Sequence, residues 1–160
     1  RADIHNRAVP VLERYLAACE EAGAKRAVPL AVSAPFHCSL MRPAQERLAP
    51  ELAAALFKDL TVPLVNNVRA EVIRSGADAR QGLIDQIPSP VRWEPSIRKL
   101  IVLGVTQFVE VGPGKVLTGM MRQIDRSAAA MNVEDSKSLE KALAAWPGMP
   151  GMNVSQEMTN

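Results

Sequence analysis

Residues 107–124, QFVEVGPGKVLTGMMRQI, constrain the fold more than any other stretch of this chain. Phe108, Val109 and Val111 make a mostly apolar strand. The Gly-Pro-Gly turn then opens a run in which Val116, Leu117, Met120, Met121 and Ile124 recur at three- and four-residue intervals. Such a switch from strand to helix periodicity across a glycine turn predicts a strand–turn–helix unit, the repeating piece of layered α/β domains.

The rest of the chain repeats the alternation. Val11, Leu12, Tyr15, Leu16 and Cys19 mark an amphipathic helix from Ala8 to Ala22, stopped by Gly23. Val28, Leu30 and Val32 read as a strand that delivers the chain to His37. Leu48, Leu52, Ala55 and Leu56 form a stripe running to Leu60, with Pro43 in its first turn and a kink at Pro50. TVPLVNNV, residues 61–68, reads as a short strand that RAEVI continues or pairs with, and SGADA as the turn after it. A helix over Ala79–Ile87 ends before PSP, and another over Glu94–Leu103 has Pro95 in its first turn and Gly104 past its end. Met131–Val133 is a candidate strand, Asp135 or Ser136 caps a last helix through Trp146, and residues 147–160 carry no periodicity and are expected to be disordered. No internal repeat is visible.

Composition excludes several function classes. With 160 residues, 48% hydrophobic and 22% charged, the chain fits one soluble core or a piece of a larger one. Its 19 basic and 17 acidic side chains show no clustered basic stripe, which argues against a nucleic-acid backbone as partner. The two cysteines, Cys19 and Cys38, have no metal-type spacing, and with His5 and His37 they compose no recognisable metal site. No apolar run approaches the roughly 20 residues that span a bilayer. A reducing, cytoplasmic setting without a membrane partner is expected.

His37 in VSAPFHCSLM is the candidate for chemistry. An imidazole at a rigid strand end can take a proton from a hydroxyl or thiol and return it to a leaving group. Position alone favours a histidine satisfied in a loop. Cys38 beside it makes a poor nucleophile, because neighbours on an extended segment point to opposite sides. VGPGK has the glycines of a phosphate loop but not the GxxxxGK[ST] pattern, so a tight turn demanded by the backbone is the favoured reading. Asn66 and Asn67 either bind a ligand or end their strand, and Met120 and Met121 are core.

Four ordered segments, AGAKRAVPLAVSAPFHCSLM, VPLVNNV, QIPSPVRW and FVEVGPGKVLTG, resemble the C-terminal half of the malonyl-CoA:acyl-carrier-protein transacylase family. The resemblance implies a hydrolase-like α/β core with an inserted ferredoxin-like subdomain. Residues 1–35 would be the remnant of the small subdomain, 36–146 the C-terminal part of the acyltransferase core and 147–160 a tail.

It also implies a ping-pong acyl transfer in fatty acid biosynthesis. Malonyl passes from coenzyme A to a serine and then to acyl carrier protein, with no permanently bound cofactor. His37 would be base and acid, the main-chain carbonyl of Gln86 would orient its ring, and Phe36 and Asn67 would lie at the substrate pocket. Bulk at Phe36 would favour malonyl over a methyl-branched unit.

The GxSxG serine, the arginine that pairs with the malonyl carboxylate and the oxyanion-hole glutamine have no counterpart here. Ser33 and Ser39 lack the glycine-flanked elbow and do not replace that serine. The isolated chain is therefore expected to be inactive. RADIHNRAVP and the tail PGMPGMNVSQEMTN fall outside the resemblance, as truncation or a misjoined reading frame would leave them. The alternative reading is a non-catalytic module that binds acidic acyl carrier protein through Lys25, Arg26, Arg42, Arg47 and Lys58. A generic hydrolase is a third.

Overall fold

The computed structural model describes residues 2–29 and 34–145, which fall into two compact units, one ending at Pro35 and the other starting at Phe36. The first unit is helix α1, Ala2–Glu21. It starts six residues before the expected Ala8 and carries Pro10 inside, where the missing N–H removes one bond from an otherwise continuous ladder. Gly23 ends it as expected. At φ +93° it lets Gly23 N–H bond Glu20 O at 2.9 Å and Ala24 N–H bond Cys19 O at 2.9 Å, a paired C-terminal lock. Residues 30–33 of the expected strand lie outside the described residues, and Val28 and Pro29 are not in a strand.

The second unit opens with a turn at His37 and a short 3₁₀ segment, Ser39–Met41, that runs into α2, Arg42–Ala54. Pro43 sits in the first turn and Pro50 inside the helix. α2 stops six residues short of Leu60, because Ala55 turns extended and Leu56 is left 85% exposed. The apolar stripe is nowhere a fully buried face: Leu48 is exposed and Leu52 half-buried.

The expected strand over 61–68 shrinks to β1, Leu64–Val65, which pairs antiparallel with β2, Val72–Ile73, so RAEVI folds back as a ribbon. Asn66 ends β1: its carbonyl accepts Ala70 N–H at 3.0 Å and its Oδ1 accepts Arg69 N–H at 3.0 Å, with Ala70 at φ +57°. SGADA is not a turn but a helix start. Ser75 Oγ accepts Asp78 N–H at 3.1 Å and caps α3, Gly76–Gln86.

α4, Trp93–Val102, ends at Gly104 (φ +89°) with the same paired lock as α1, Gly104 N–H to Ile101 O and Val105 N–H to Leu100 O. β3, Gln107–Val111, then turns into α5, Val116–Ile124, and β4, Ala129–Val133, pairs parallel with β3 from Gln107↔Ala129 to Val111↔Val133. β4 starts two residues before the expected Met131. α6, Ser136–Ala145, follows a turn in which Asp135 Oδ1 accepts Ser138 N–H at 2.7 Å. Trp146 and the tail lie outside the described residues.

The best-buried large side chains, Ile97 and Met121, are each only 3% exposed and come from α4 and α5. An apolar groove of ≈180 Å³ runs between α4, α5, β3 and β4, lined in part by Trp93, Phe108, Leu117 and Met131. No helix of the described residues is long and apolar enough to cross a membrane.

Candidate active site

His37 does not end an extended run. It sits in a turn at φ +58°, a left-handed conformation that L residues adopt at a cost and keep only when surroundings hold them there. Cys38 is extended after it, and Met41 N–H bonds Cys38 O at 2.9 Å to start the 3₁₀ segment. The ring reaches across to α3. His37 Nδ1 lies 3.1 Å from Gln86 O. Because a carbonyl oxygen only accepts, Nδ1 must carry the hydrogen, and in the neutral ring the lone pair is then on Nε2.

The local sequence explains why that carbonyl is available. In a continuing helix Gln86 O would accept the N–H four residues on, but residue 90 is proline and has none. Ser89 N–H takes part of its capacity at 3.2 Å, and the imidazole takes the rest. The last carbonyls of α3 also carry the negative end of its peptide dipoles, and one of them, Gln86 O, faces a ring that gains positive charge when it accepts a proton.

The other expected site residues are placed less closely. Phe36 precedes His37 and is exposed. Asn67 is half-buried beside the β1–β2 ribbon. Its carbonyl accepts Arg92 N–H at 2.9 Å, and Arg92 Nη1 donates to Arg69 O at 3.1 Å; none of these bonds reaches His37. Ser39 is exposed at the start of the 3₁₀ segment, and Ser33 is outside the described residues. Among the described residues no cluster of three or more His, Cys, Asp or Glu side chains could hold a metal ion.

The GPGK turn has its own occupants. Gly112 (φ +135°) and Gly114 (φ +91°) bend the chain from β3 into α5. The first N–H groups of α5, which could have received an anion, bind Glu110: Oε1 accepts Leu117 N–H at 3.1 Å, and Oε2 accepts Thr118 N–H at 2.8 Å and Thr118 Oγ1–H at 2.6 Å. Glu134 takes Gly114 N–H at 3.0 Å and pairs with Lys115 Nζ at 3.3 Å. The turn is thus closed by the protein's own carboxylates, in line with a turn demanded by the backbone. A lone glutamate inside an apolar strand, just before a glycine turn, is the sequence signal for this cap.

Thr118's hydroxyl, then its N–H, holds the Glu110 carboxyl below its ordinary range; the Gly114 N–H, then Lys115, does the same for Glu134. Folded values below unfolded ones mean the stabilisation is present above the ordinary carboxylate range and is lost as pH falls through the lowered folded values. Glu110→Gln should therefore lower the thermal midpoint at neutral pH and flatten its decline below about pH 4. Parallel midpoint-versus-pH curves for the two proteins would contradict the assignment.

Comparison with known proteins decides the family. Over 124 residues the chain is 49% identical to the malonyl CoA-acyl carrier protein transacylase of Bacillus subtilis, covering 78% of this chain and 39% of that protein. The Escherichia coli K12 transacylase is 45% identical over 132 residues, 82% of this chain and 43% of that one. The chain belongs to the malonyl-CoA:acyl-carrier-protein transacylase family, as its C-terminal portion.

No family model matches the chain. The transacylase from Streptococcus pneumoniae superposes with a TM-score of 0.77 at 44% identity, over 84% of this chain and 44% of that one. A malonyl-transacylase solved with a type II polyketide acyl-carrier protein gives 0.79 at 43% identity, over 84% and 44%. Like these transacylases, the chain has an α/β fold. It spans about two-fifths of the length of the curated transacylases it matches.

Proposed function

We propose that this chain supplies the proton-carrying histidine for transfer of malonyl from coenzyme A to acyl carrier protein. The nucleophilic serine would come from residues outside these 160. The reading is carried by the His37 Nδ1–Gln86 O contact of 3.1 Å, which fixes the tautomer a base needs.

In the first half-reaction His37 Nε2 takes the serine proton as the oxygen attacks the malonyl thioester. The carbon–sulfur bond breaks, and the imidazolium returns the proton to the departing coenzyme A sulfur. In the second, Nε2 takes the proton of the carrier-protein thiol, the thiolate attacks the malonyl-serine ester, and the serine oxygen leaves with that proton. A carbonyl cannot match a carboxylate in stabilising the imidazolium, and α3's dipole makes up part of the difference.

Phe36 would bound the acyl pocket, where one methyl's worth of clash discriminates by about 1–3 kcal/mol. Asn67 would lie at its edge. Residues 1–35 would be the remnant of a ferredoxin-like subdomain, a division supported by the unit boundary after Pro35.

The surface supports a site completed from outside. Parallel strands are ordinarily covered on both faces by helices, yet β3 and β4 form a sheet of two in which Val111 is 80% exposed. Malonyl-CoA added to the isolated chain should leave its intact mass unchanged. A stable malonyl adduct would show that the nucleophile lies within these residues and overturn the reading. The exposed Arg42, Arg47 and Lys58 favour a second reading, a carrier-protein binding module without catalysis. Carrier-protein binding that weakens with salt, together with no transfer in any reassembled enzyme, would select it.

A further inference from the structure

Two side chains from one segment hold the same turn of α3. His37 Nδ1–H meets Gln86 O at 3.1 Å, and Gln45, on the second turn of α2, donates its Nε2–H to Ile84 O at 3.0 Å in a partly buried setting. The two acceptors have one origin. The helical donors four residues beyond Ile84 and Gln86 are Pro88 and Pro90, neither of which has an N–H. QIPSP therefore strips the last turn of α3 of two donors, and the 37–45 segment replaces them both. A helix-end carbonyl bonded to one particular side chain is held where that side chain can reach it, so each replacement also fixes where the turn sits.

We propose that Gln45 is a positioning residue for His37. It stands in for the N–H that Pro88 lacks, and so holds the end of α3 at the height where Gln86 O receives the imidazole. With two bonds, the 37–45 segment and α3 share a two-point clasp that keeps His37 in its left-handed turn. With one, the Gln86 carbonyl must hold both ring and helix end. Nothing local in PAQER marks Gln45 for this task; the signal is the pair of prolines some forty residues further along the chain.

This deepens the reading of His37 as proton carrier. Its readout needs no turnover, so a failure of the clasp and a failure of the malonyl-transfer reading are distinguishable. The test uses the full chain labelled with ¹⁵N-histidine at about pH 9, above the ordinary imidazole range. Two-bond proton–nitrogen correlations give the His37 tautomer ratio, and a His5→Gln chain assigns the signals.

Wild type should show the Nδ1–H form. Gln45→Ala should lower the ratio of Nδ1–H to Nε2–H about two- to tenfold, the range of one net hydrogen bond. Gln45→Ala/Pro88→Ala, which restores the missing N–H, should recover it. If Gln45→Ala fails to fold, recovery of folding by Pro88→Ala supports the clasp equally, and no recovery overturns it. An unchanged tautomer ratio in Gln45→Ala, or a double variant no better than the single one, would overturn the proposal.

Discussion

Replacing His37 by alanine in a transacylase reassembled from this chain and the N-terminal portion of the Bacillus subtilis relative should lower malonyl transfer by about 10²–10⁴-fold, the usual worth of a positioned general base. The expectation follows from the ring's hold on Gln86 O, which leaves Nε2 as the nitrogen that can exchange protons with serine and thiol. Alanine removes that group without touching α3's other supports, since Ser89 N–H still reaches Gln86 O and Gln45 still reaches Ile84 O. The loss should fall on transfer rather than on assembly of the two portions. Cys38→Ala in the same protein should leave transfer unchanged, because Cys38 has no part in the proposed cycle. A His37→Ala enzyme within tenfold of wild type, with the complex intact, would remove His37 from the mechanism.

The second large effect is on the fold that carries Gln86. Gly76 begins α3, and a Cβ there would stand 2.6 Å from both Lys58 O and Phe57 O, two backbone atoms that yield only if the loop carrying them shifts. The close approach also brings Gly76 N–H to Asp59 Oδ1 at 3.0 Å. Gly76→Ala must push the 57–59 loop away from the helix start, an overpacking error that costs about 1–3 kcal/mol or more. In a unit with so few buried large side chains among its described residues, that should lower the thermal midpoint by about 5 °C or more.

Gly82 is the control. Its Cβ would meet Asn66 Nδ2 at 3.2 Å, a side-chain amide able to yield, and alanine gains about 0.5–1 kcal/mol of helix propensity inside α3. Gly82→Ala should be close to neutral. Equal midpoints for Gly76→Ala and wild type would show that the loop can move freely.

What the amino-acid sequence reveals divides along the range of the interactions. β3, α5 and the stops at Gly23 and Gly104 are legible because periodicity and helix ends are written within a few residues. Ser75 is legible too, in S-x-x-D, but the glycine and alanine after it read as a turn. Pattern alone overextends β1 and α2, because apolar residues within 54–62 continue a stripe that no neighbour buries.

The site is harder. Residues alone leave His37 as a loop histidine, since its partner is a carbonyl 49 positions away and every residue has a carbonyl. Only the resemblance of QIPSPVRW to a family segment directs attention to Gln86. Gln45 escapes for the same reason: it bonds a carbonyl 39 positions away, and nothing in its own surroundings marks it.

If this chain brings the proton carrier to a site whose nucleophile lies elsewhere, neither portion of the enzyme should work without the other. The direct measurement is malonyl transfer to acyl carrier protein by the chain alone, by the N-terminal portion of the Bacillus subtilis transacylase alone, and by the two combined. Transfer is expected only in the mixture, with the malonyl ester found by mass on the added portion. Transfer by this chain alone, or none from a mixture shown to form the complex, would contradict that division of labour.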